Sequence, residues 1–352
     1  MKARRRRTGT RPLRIALVGF GSVGRCFAER LRGPYLRALR HAGAEPRVTG
    51  IATARHGIAI DSRGISLARA LQRVGRASSL ESLCRGKPPK SVAEMIDRVK
   101  ADVLVELTPL EPLTGQPALD HVRRALRLGM DVVTANKGPI AHALPSLRRV
   151  AESSGARLLH ESTVMDGAPV FNLKDLSLRG TPVTGFRGVL NSTTTHVLSR
   201  MEQGATRDEA IAEAQALGIA EADPRYDLDG WDAAVKGSVL SNAILERYIR
   251  PTEVRRRGIG NVTQADVRRA QGKGRRIRLV TRGRVAGRGV RVSIAPEELA
   301  LDDTLTVAGA DAVLVLETEL LGEIGIVEGG GGVDQTAFGV LSDLLRLVEE
   351  PR

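Results

Sequence analysis

The chain has 352 residues, room for two domains of ordinary size, and its 42% hydrophobic content is enough for a packed core. The formal net charge of +14 would suit a nucleic acid or an anionic membrane, but aromatic residues make up only 3% and are not interleaved with the arginines as single-strand binding requires. Two cysteines make neither a disulfide framework nor a zinc set, and no apolar run is long enough to cross a membrane, so we expect a cytoplasmic protein with no nucleic-acid or membrane partner.

The first residues are strongly basic, with four consecutive arginines from Arg4 to Arg7. Such a charge run at a terminus is typical of an unstructured extension, and we expect residues 1–12 to form a disordered arm. The apolar stretch that follows this arm is too short for the core of a signal peptide.

A short apolar strand is predicted over residues 13–18, and it leads directly into a G-x-G-x-x-G turn followed by a helix through Leu31. In this context the three glycines have separate roles. Gly19 allows the tight turn, Gly21 lets a pyrophosphate approach the backbone, and Gly24 lets the helix pack on the strand. The alternative is a simple tight turn, but the order strand, turn, helix favours a dinucleotide-binding site.

Strand and helix patterns alternate beyond this turn. Strands are predicted at 47–53, 102–107, 131–135 and 157–160, with helices at 117–128 and 144–153. Such alternation predicts an α/β fold with a Rossmann-type, doubly wound, mostly parallel sheet. Ligands of these sheets bind beyond the carboxyl ends of the strands, where the loops at Phe20, Thr53, Thr108 and Asn136 should meet.

The end of the second predicted strand gives a signal about the dinucleotide. Sites selective for NAD usually carry an acidic residue there, which binds the ribose hydroxyls. From this strand onward the chain has no acid before Asp61, whereas Arg55 could meet a 2′-phosphate. The pattern favours NADP over NAD, with a role as an ordinary surface arginine as the alternative for Arg55.

The second half of the chain opens with small hydroxyl residues, Asn-Ser-Thr-Thr-Thr from Asn191, before a helix predicted at 196–203. Such a run is often only a helix cap, but it also offers hydroxyls and amides to a small polar ligand. Thr206 and Glu209 then match a capping box, which predicts a second helix at 207–217.

An acidic segment follows, with five carboxylates in the twelve residues from Glu221 to Asp232. The helix expected after Gly230, to about Arg247, places Asp232 and Lys236 one turn apart on one face among small and apolar residues. A lysine in such surroundings is a candidate general acid–base. An exposed ion pair is one alternative, and a calcium loop is another, although the acids lack the spacing of that loop.

The acidic segment resembles the signature of the homoserine dehydrogenase family. The matching positions are Ala214, Gly218, Ile219, Ala220, Asp223, Pro224, Asp227, Leu228, Gly230, Asp232 and Lys236. The stretches 134–137, 161–169, 188–193 and 329–344 are similar to other segments of the family, so the resemblance covers nearly the whole chain. It implies an NAD(P)-dependent oxidoreductase that interconverts L-aspartate 4-semialdehyde and L-homoserine.

The resemblance also implies roles for individual residues. In catalysis, Lys236 is the proton donor to the carbonyl oxygen, and Lys137 shares the proton work or orients the carbonyl near the nicotinamide. Asp232, like Asp227, hydrogen-bonds the substrate or holds the lysines. The substrate-binding residues are Glu221, which takes the ammonium group, with Asp227, Ser192 and Thr193. The cofactor-binding residues are Gly19, Phe20, Gly21, Ser22, Val23, Gly24, Arg55, Thr108 and Lys137. A sodium ion is implied at Glu161, Val164, Asp166 and Ala168, mainly through backbone carbonyls.

The chain departs from the family pattern in three places. Ile219 replaces an aromatic residue before the substrate glutamate, Ser192 replaces a glycine, and Met165-Asp166 replace small residues in the sodium loop. No charged catalytic group is lost. From the resemblance we also expect that no C-terminal regulatory extension is present and that feedback through one is absent.

The domain organisation expected from pattern and resemblance has two units. Residues 13–160 and 330–352 form the dinucleotide-binding domain, and 161–329 form an α+β region for substrate binding and dimerisation, with strands at 276–281, 290–295, 304–308 and 312–317. A homodimer is expected. Two other functions remain as alternatives: a different oxidoreductase of the same architecture, and a non-catalytic dinucleotide sensor.

Overall fold

The computed structural model describes residues 10–350 of the chain and contains two six-stranded sheets. The arginine run of the expected arm lies outside the described residues. Arg11 and Pro12 do not belong to an arm, because both lie in the first strand and pair with Ala44 and Glu45 of the second.

The first sheet has the predicted Rossmann-type order, β3-β2-β1-β4-β5-β6. Its strands are β1 Arg11–Val18, β2 Ala44–Ala52, β3 Ile58–Ile60, β4 Val103–Glu106, β5 Asp131–Thr134 and β6 Leu158–Leu159. All neighbours are parallel except β3, which pairs antiparallel with β2 at the edge. The predicted doubly wound α/β class is confirmed.

Helices cover both faces of this sheet, which is why the buried parts of its strands are largely apolar. They are α1 Ser22–Arg30, α2 Pro34–His41, α3 Leu67–Gly75, α4 Val92–Arg98, α5 Ala118–Arg127 and α6 Lys137–Ser154. Helix α6 begins earlier than predicted, because the side chain of Asn136 accepts a hydrogen bond from the Gly138 amide at 2.9 Å and caps the helix. Gly138 and Pro139 hide this start in the sequence, although proline is well accommodated in a first turn.

The second sheet has the order β12-β11-β7-β9-β10-β8 and is antiparallel except for the short pair β8–β10. Its strands are β7 Val183–Val189, β8 Arg255–Arg256, β9 Arg275–Ala286, β10 Gly289–Ala300, β11 Ala312–Thr318 and β12 Gly322–Glu328. The strand predicted at 304–308 is wrong. That segment is a loop whose Leu305 is buried against Val280 and Val313. Its residues are apolar because the loop covers the second sheet, and not because it forms a strand.

Six helices follow the first unit: α7 Val170–Asn172, α8 Ser192–Glu202, α9 Arg207–Ala216, α10 Arg225–Leu228, α11 Trp231–Ala243 and α12 Gln264–Gly272. The predicted capping box at Thr206 and Glu209 starts α9. Helix α11 packs on β9 and β10 and also on α6 of the first unit, so almost every side of it is buried. This double packing explains its lack of an amphipathic pattern.

The last helix, α13 Val333–Glu349, returns to the first sheet. It packs against α1, and its Ala337, Val340 and Leu344 belong to the same apolar cluster as Phe27. Among residues 10–350, no helix has both the length and the apolar character needed to cross a bilayer.

Candidate active site

The glycine turn after β1 has the close packing that its sequence predicts. Gly19 has φ +96°, and a Cβ there would lie 2.5 Å from the carbonyl carbon of Leu107. A Cβ at Gly24 would lie 2.5 Å from the Gly19 carbonyl oxygen, whereas one at Gly21 would meet nothing within 4 Å. The turn is therefore tight on its protein side and open at Gly21, at the start of α1, where a diphosphate would bind.

The loops after β1, β4 and β5 meet at one edge of the sheet, as predicted. The side-chain amide of Asn136 donates to the carbonyl of Thr108 at 2.9 Å and to that of Pro109 at 3.2 Å. Thr108 in turn follows Leu107, the residue on which Gly19 packs. This contact series joins the glycine turn to the first residue of α6, which is Lys137.

Two lysines share one carboxylate beside this edge. Asp232 lies at the start of α11, with Oδ1 3.3 Å from Nζ of Lys137 and Oδ2 3.4 Å from Nζ of Lys236. Lys236 also donates to the backbone carbonyl of Leu190 at 2.5 Å. Its side chain is only 15% exposed, so the pair with Asp232 is not the ordinary surface pair that spacing alone allows.

A second layer of polar groups holds this arrangement. The side-chain amide of Asn191 donates to Asp227 at 2.7 Å and to Asp232 at 3.1 Å. The hydroxyl of Thr193 donates to the other oxygen of Asp227 at 2.9 Å. The hydroxyl-rich start of α8 therefore does more than cap a helix, because it connects the two acidic residues behind the lysines.

The charges in the cluster stabilise one another. Burial lowers the pKa of Lys236, but the carboxylates of Asp232, Asp166 and Asp227 outweigh it, and the net pKa of Lys236 is raised. Burial would raise the pKa of Asp232, but the two ammonium groups lower it below its usual range. Burial and the charge of Asp232 raise the pKa of Asp227. Lys236 is thus held as an ammonium ion, the form that donates a proton.

Several predicted site residues lie outside this network, among them Arg55, Ser192 and Glu221. Arg55 is exposed in the turn between β2 and β3, at the same edge as the glycine turn. Ser192 is half-buried as the first residue of α8. Glu221 is exposed in the loop between α9 and α10, and its carboxylate has no hydrogen bond or ion pair with another residue of the part that the structure describes.

The loop expected to bind sodium packs against α7 and α13. Both oxygens of Glu161 accept backbone amides, those of Phe171 and Asn172, each at 2.8 Å. Burial raises the pKa of Glu161 to about 7 despite these bonds. Asp166 has φ +36° and accepts a hydrogen bond from the hydroxyl of Thr336 at 3.0 Å. Within residues 10–350 no three acidic, histidine or cysteine side chains cluster as a metal site, so a cation here would depend on backbone carbonyls.

Sequence reasoning missed one buried acid, Glu106, the last residue of β4. It lies at the edge of the first sheet where the loops after β1, β4 and β5 meet. Its carboxylate contacts Thr108, in the loop after β4, and Thr134, the last residue of β5. The signal was present, since Glu106 is a charged residue within an otherwise apolar strand, a position that is seldom occupied without a partner.

Comparisons with known proteins agree with this architecture. The model of the homoserine dehydrogenase NAD binding domain matches residues 19–161, and the homoserine dehydrogenase model matches residues 169–345. An "NAD(+)-dependent homoserine dehydrogenase" of Pseudomonas canavaninivorans is 32% identical over 95% of this chain and 96% of that protein. A homoserine dehydrogenase of Methanocaldococcus jannaschii is 33% identical over 95% of this chain and 98% of its own length.

The solved structures lead to the same result. A hyperthermophilic archaeal homoserine dehydrogenase in complex with NADPH superimposes with a TM-score of 0.80 and 31% identity, covering 97% of this chain and 99% of that one. Fold and sequence therefore agree with these proteins along nearly the full length of the chain. The chain belongs to the homoserine dehydrogenase family, whose members are NAD(P)-dependent oxidoreductases.

Proposed function

We propose that this chain carries out the homoserine dehydrogenase reaction with Lys236 as the proton donor to the aldehyde oxygen of L-aspartate 4-semialdehyde. The observation that supports this assignment is the pair of lysines held by one buried carboxylate, with Asp232 within 3.4 Å of both ammonium groups. The contacts from Lys137 through Asn136 and Thr108 to Gly19 connect this pair to the dinucleotide turn.

The nicotinamide supplies the hydride when the dinucleotide is bound. Negative charge then grows on the carbonyl oxygen, and the ammonium group of Lys236 stabilises it and donates a proton from Nζ. A positioned proton donor of this kind contributes about 10²–10⁴-fold to the rate. Lys137 would orient the carbonyl from the side of the dinucleotide turn, and Asp232 would keep both side chains in position.

The amino-acid end of the substrate needs a carboxylate for its ammonium group, and Glu221 is available because its side chain has no other ion pair in the described chain. Asp227, Thr193 and Ser192 line the neighbouring wall of the proposed pocket. Glu221→Gln is expected to raise the KM for aspartate semialdehyde with little change in the affinity for the dinucleotide. An unchanged KM would exclude Glu221 from ammonium binding.

Reduction of aspartate semialdehyde, followed by loss of nicotinamide absorbance, tests the reaction directly. The protein should oxidise the reduced dinucleotide in the presence of aspartate semialdehyde and should be slower by orders of magnitude with simple aldehydes that lack the amino-acid group. Dinucleotide binding without any turnover would favour the non-catalytic sensor instead.

For the dinucleotide we propose a preference for NADP over NAD, with Arg55 on the 2′-phosphate. The support is its exposed place at the end of β2 and the absence of an acid there. Arg55→Ala should raise the KM for NADPH and leave the KM for NADH unchanged. Equal effects on both cofactors would contradict this role.

We also propose a sodium ion in the loop of Glu161, Val164, Asp166 and Ala168. The loop offers backbone carbonyls and the Asp166 carboxylate, but both Glu161 oxygens already accept amide hydrogens. Sodium should then raise the Tm above that measured in lithium or choline at equal ionic strength. Identical Tm values would contradict the site.

Two features of organisation complete the proposal. Residues 13–160 with 330–352 are assigned to dinucleotide binding, and 161–329 to substrate binding and dimerisation, supported by the packing of α13 on α1. The second sheet would supply the interface of a homodimer. Light scattering coupled to gel filtration should give twice the 37.8 kDa chain mass; the mass of one chain would contradict the dimer.

A further inference from the structure

The side chain of Glu106 is a buried carboxylate that the proposed reaction does not use. It stands at the carboxyl end of β4 and is 0% exposed. A buried carboxylate is costly unless hydrogen-bond donors surround it, so its contacts indicate what it holds in place.

The donors come from the loop after β4 and from the end of β5. The backbone amide of Thr108, at 3.2 Å, and the hydroxyl of Thr108 both donate to Oε1. The hydroxyl of Thr134, at the end of β5, lies 3.4 Å from Oε2 and donates to the backbone carbonyl of Glu106 at 3.1 Å. His121 of α5 places Nδ1 3.7 Å from Oε1 and has no hydrogen bond at that nitrogen within the described chain.

The contact with Thr134 continues to the catalytic cluster. The Thr134 hydroxyl oxygen accepts the amide of Asn136 at 3.0 Å, and Asn136 caps the helix whose first residue is Lys137. The side-chain amide of Asn136 then returns to the Thr108 carbonyl at 2.9 Å. Glu106, Thr108, Asn136 and Thr134 thus form a closed set of hydrogen bonds between the β4 and β5 loops.

We propose that Glu106 is a positioning residue for the reaction. Its carboxylate fixes the loop at Thr108, next to the residue on which Gly19 of the dinucleotide turn packs. It also fixes the start of α6 and therefore the position of Lys137. The inference rests on the proposed function of those two residues. Displacements of about 1 Å in such supports can cost about 100-fold in rate, so the effect should be visible in binding and turnover.

The experiment compares Glu106→Leu with Glu106→Gln. Leucine removes both acceptor oxygens, whereas glutamine keeps one for the amide and hydroxyl of Thr108. Loss of the acceptor should raise the Kd for NADPH and NADH, measured by fluorescence titration, about tenfold, and lower kcat/KM about 100-fold. The glutamine variant should recover most of this loss and stay within about threefold of the original protein.

Asp131→Leu is the matched control. Asp131 is also a buried carboxylate, at the opposite end of β5, where it pairs with Arg157 at 2.7 Å. Its loss should lower the Tm without changing the Kd of the dinucleotide. Thr134→Val provides a second variant should Glu106→Leu fail to fold. It should lower kcat by a larger factor than it raises the Kd of the dinucleotide, because it removes the hydroxyl that accepts the amide of Asn136, next to Lys137.

Three results from the Glu106 and Thr134 variants would overturn the inference. They are unchanged Kd and kcat/KM in Glu106→Leu, an equal loss in the glutamine and leucine variants, and, if leucine prevents folding, unchanged kcat in Thr134→Val. A rise in Kd for Asp131→Leu as large as that for Glu106→Leu would also overturn it, by showing only a general loss of structure. Failure of the unaltered protein to bind either dinucleotide would contradict the proposed function itself and not this role.

Discussion

At the residue scale, the central feature is one carboxylate shared by two ammonium groups. Helical spacing predicts the contact of Asp232 with Lys236, because residues four apart lie on one face. The contact with Lys137 is not visible in spacing, since the two residues belong to helices α6 and α11 of different units. Only the resemblance to a family pointed to Lys137, and only the fold explains how it reaches Asp232.

The balance of charge around Lys236 has a consequence for pH dependence. The net pKa of Lys236 is raised because Asp232, Asp166 and Asp227 outweigh burial. In Asp232→Asn the burial remains while one counter-charge is lost, so the pKa of Lys236 should fall. With protonated Lys236 as the proposed proton donor, the basic limb of the pH profile for aldehyde reduction should move to lower pH.

The measurement is the pH profile of kcat/KM for aldehyde reduction. Asp229→Asn is the control, since Asp229 is an exposed acid of the same segment. If the basic limb stays in place in Asp232→Asn, or moves as far in the control, Lys236 is not the group that titrates.

At the element scale, the sequence predicts those helices, strands and turns that depend on residues close to one another in the chain. The glycine turn, the capping box of α9 and the strands at the first sheet's centre follow from residues near in sequence, and the structure confirms them. Long-range packing decides what was missed. Leu305 and Val307 have a strand-like alternation but lie in a loop over the second sheet.

The close packing of the glycine turn leads to a prediction with a well-matched control. Gly19 and Gly43 both have positive φ, +96° and +92°, so alanine strains the backbone similarly at either position. A Cβ at Gly19 would lie 2.5 Å from Leu107, whereas one at Gly43 would meet nothing within 4 Å. Gly19→Ala should therefore abolish dinucleotide binding, and Gly43→Ala should cost only about 1 kcal/mol of stability.

Fluorescence titration with NADPH and a thermal melt of each variant separate the two effects. Equal dinucleotide affinities in the two variants would show that the contact of Gly19 with Leu107 does not shape the binding turn.

At the scale of the whole molecule, the two lysines meet at Asp232 because α6, a helix of the first unit, packs on α11 of the second unit. Asn242, near the end of α11, is buried and donates from its side-chain amide to the carbonyl of Ala141 at 2.9 Å, while its oxygen accepts the amide of Ile249 at 2.9 Å. These bonds fix the helix that carries Lys236 against the helix that carries Lys137. No local pattern in the sequence predicts such a junction.

Asn242→Ala should lower the free energy of unfolding by about 1–3 kcal/mol, because it leaves buried polar groups without partners. It should also lower kcat, since the spacing of the two lysines depends on this junction. Ser241→Ala is the control, because Ser241 is also buried but its hydroxyl, within residues 10–350, bonds only to the carbonyl of Arg247 in the adjacent loop. A similar loss of kcat in both variants would show that the α6–α11 bonds have no special role.

The most direct test of the account is Lys236→Met, which keeps the length and apolar stem of the side chain and removes its ammonium group. We predict that kcat for reduction of aspartate semialdehyde falls by about 10²–10⁴-fold, while the Kd of the dinucleotide stays the same. Lys174→Met, which removes an ion-paired lysine bonded to Glu246, should leave kcat unchanged. Undiminished turnover in Lys236→Met, with the protein folded and the dinucleotide bound, would contradict the assignment of Lys236 as the proton donor.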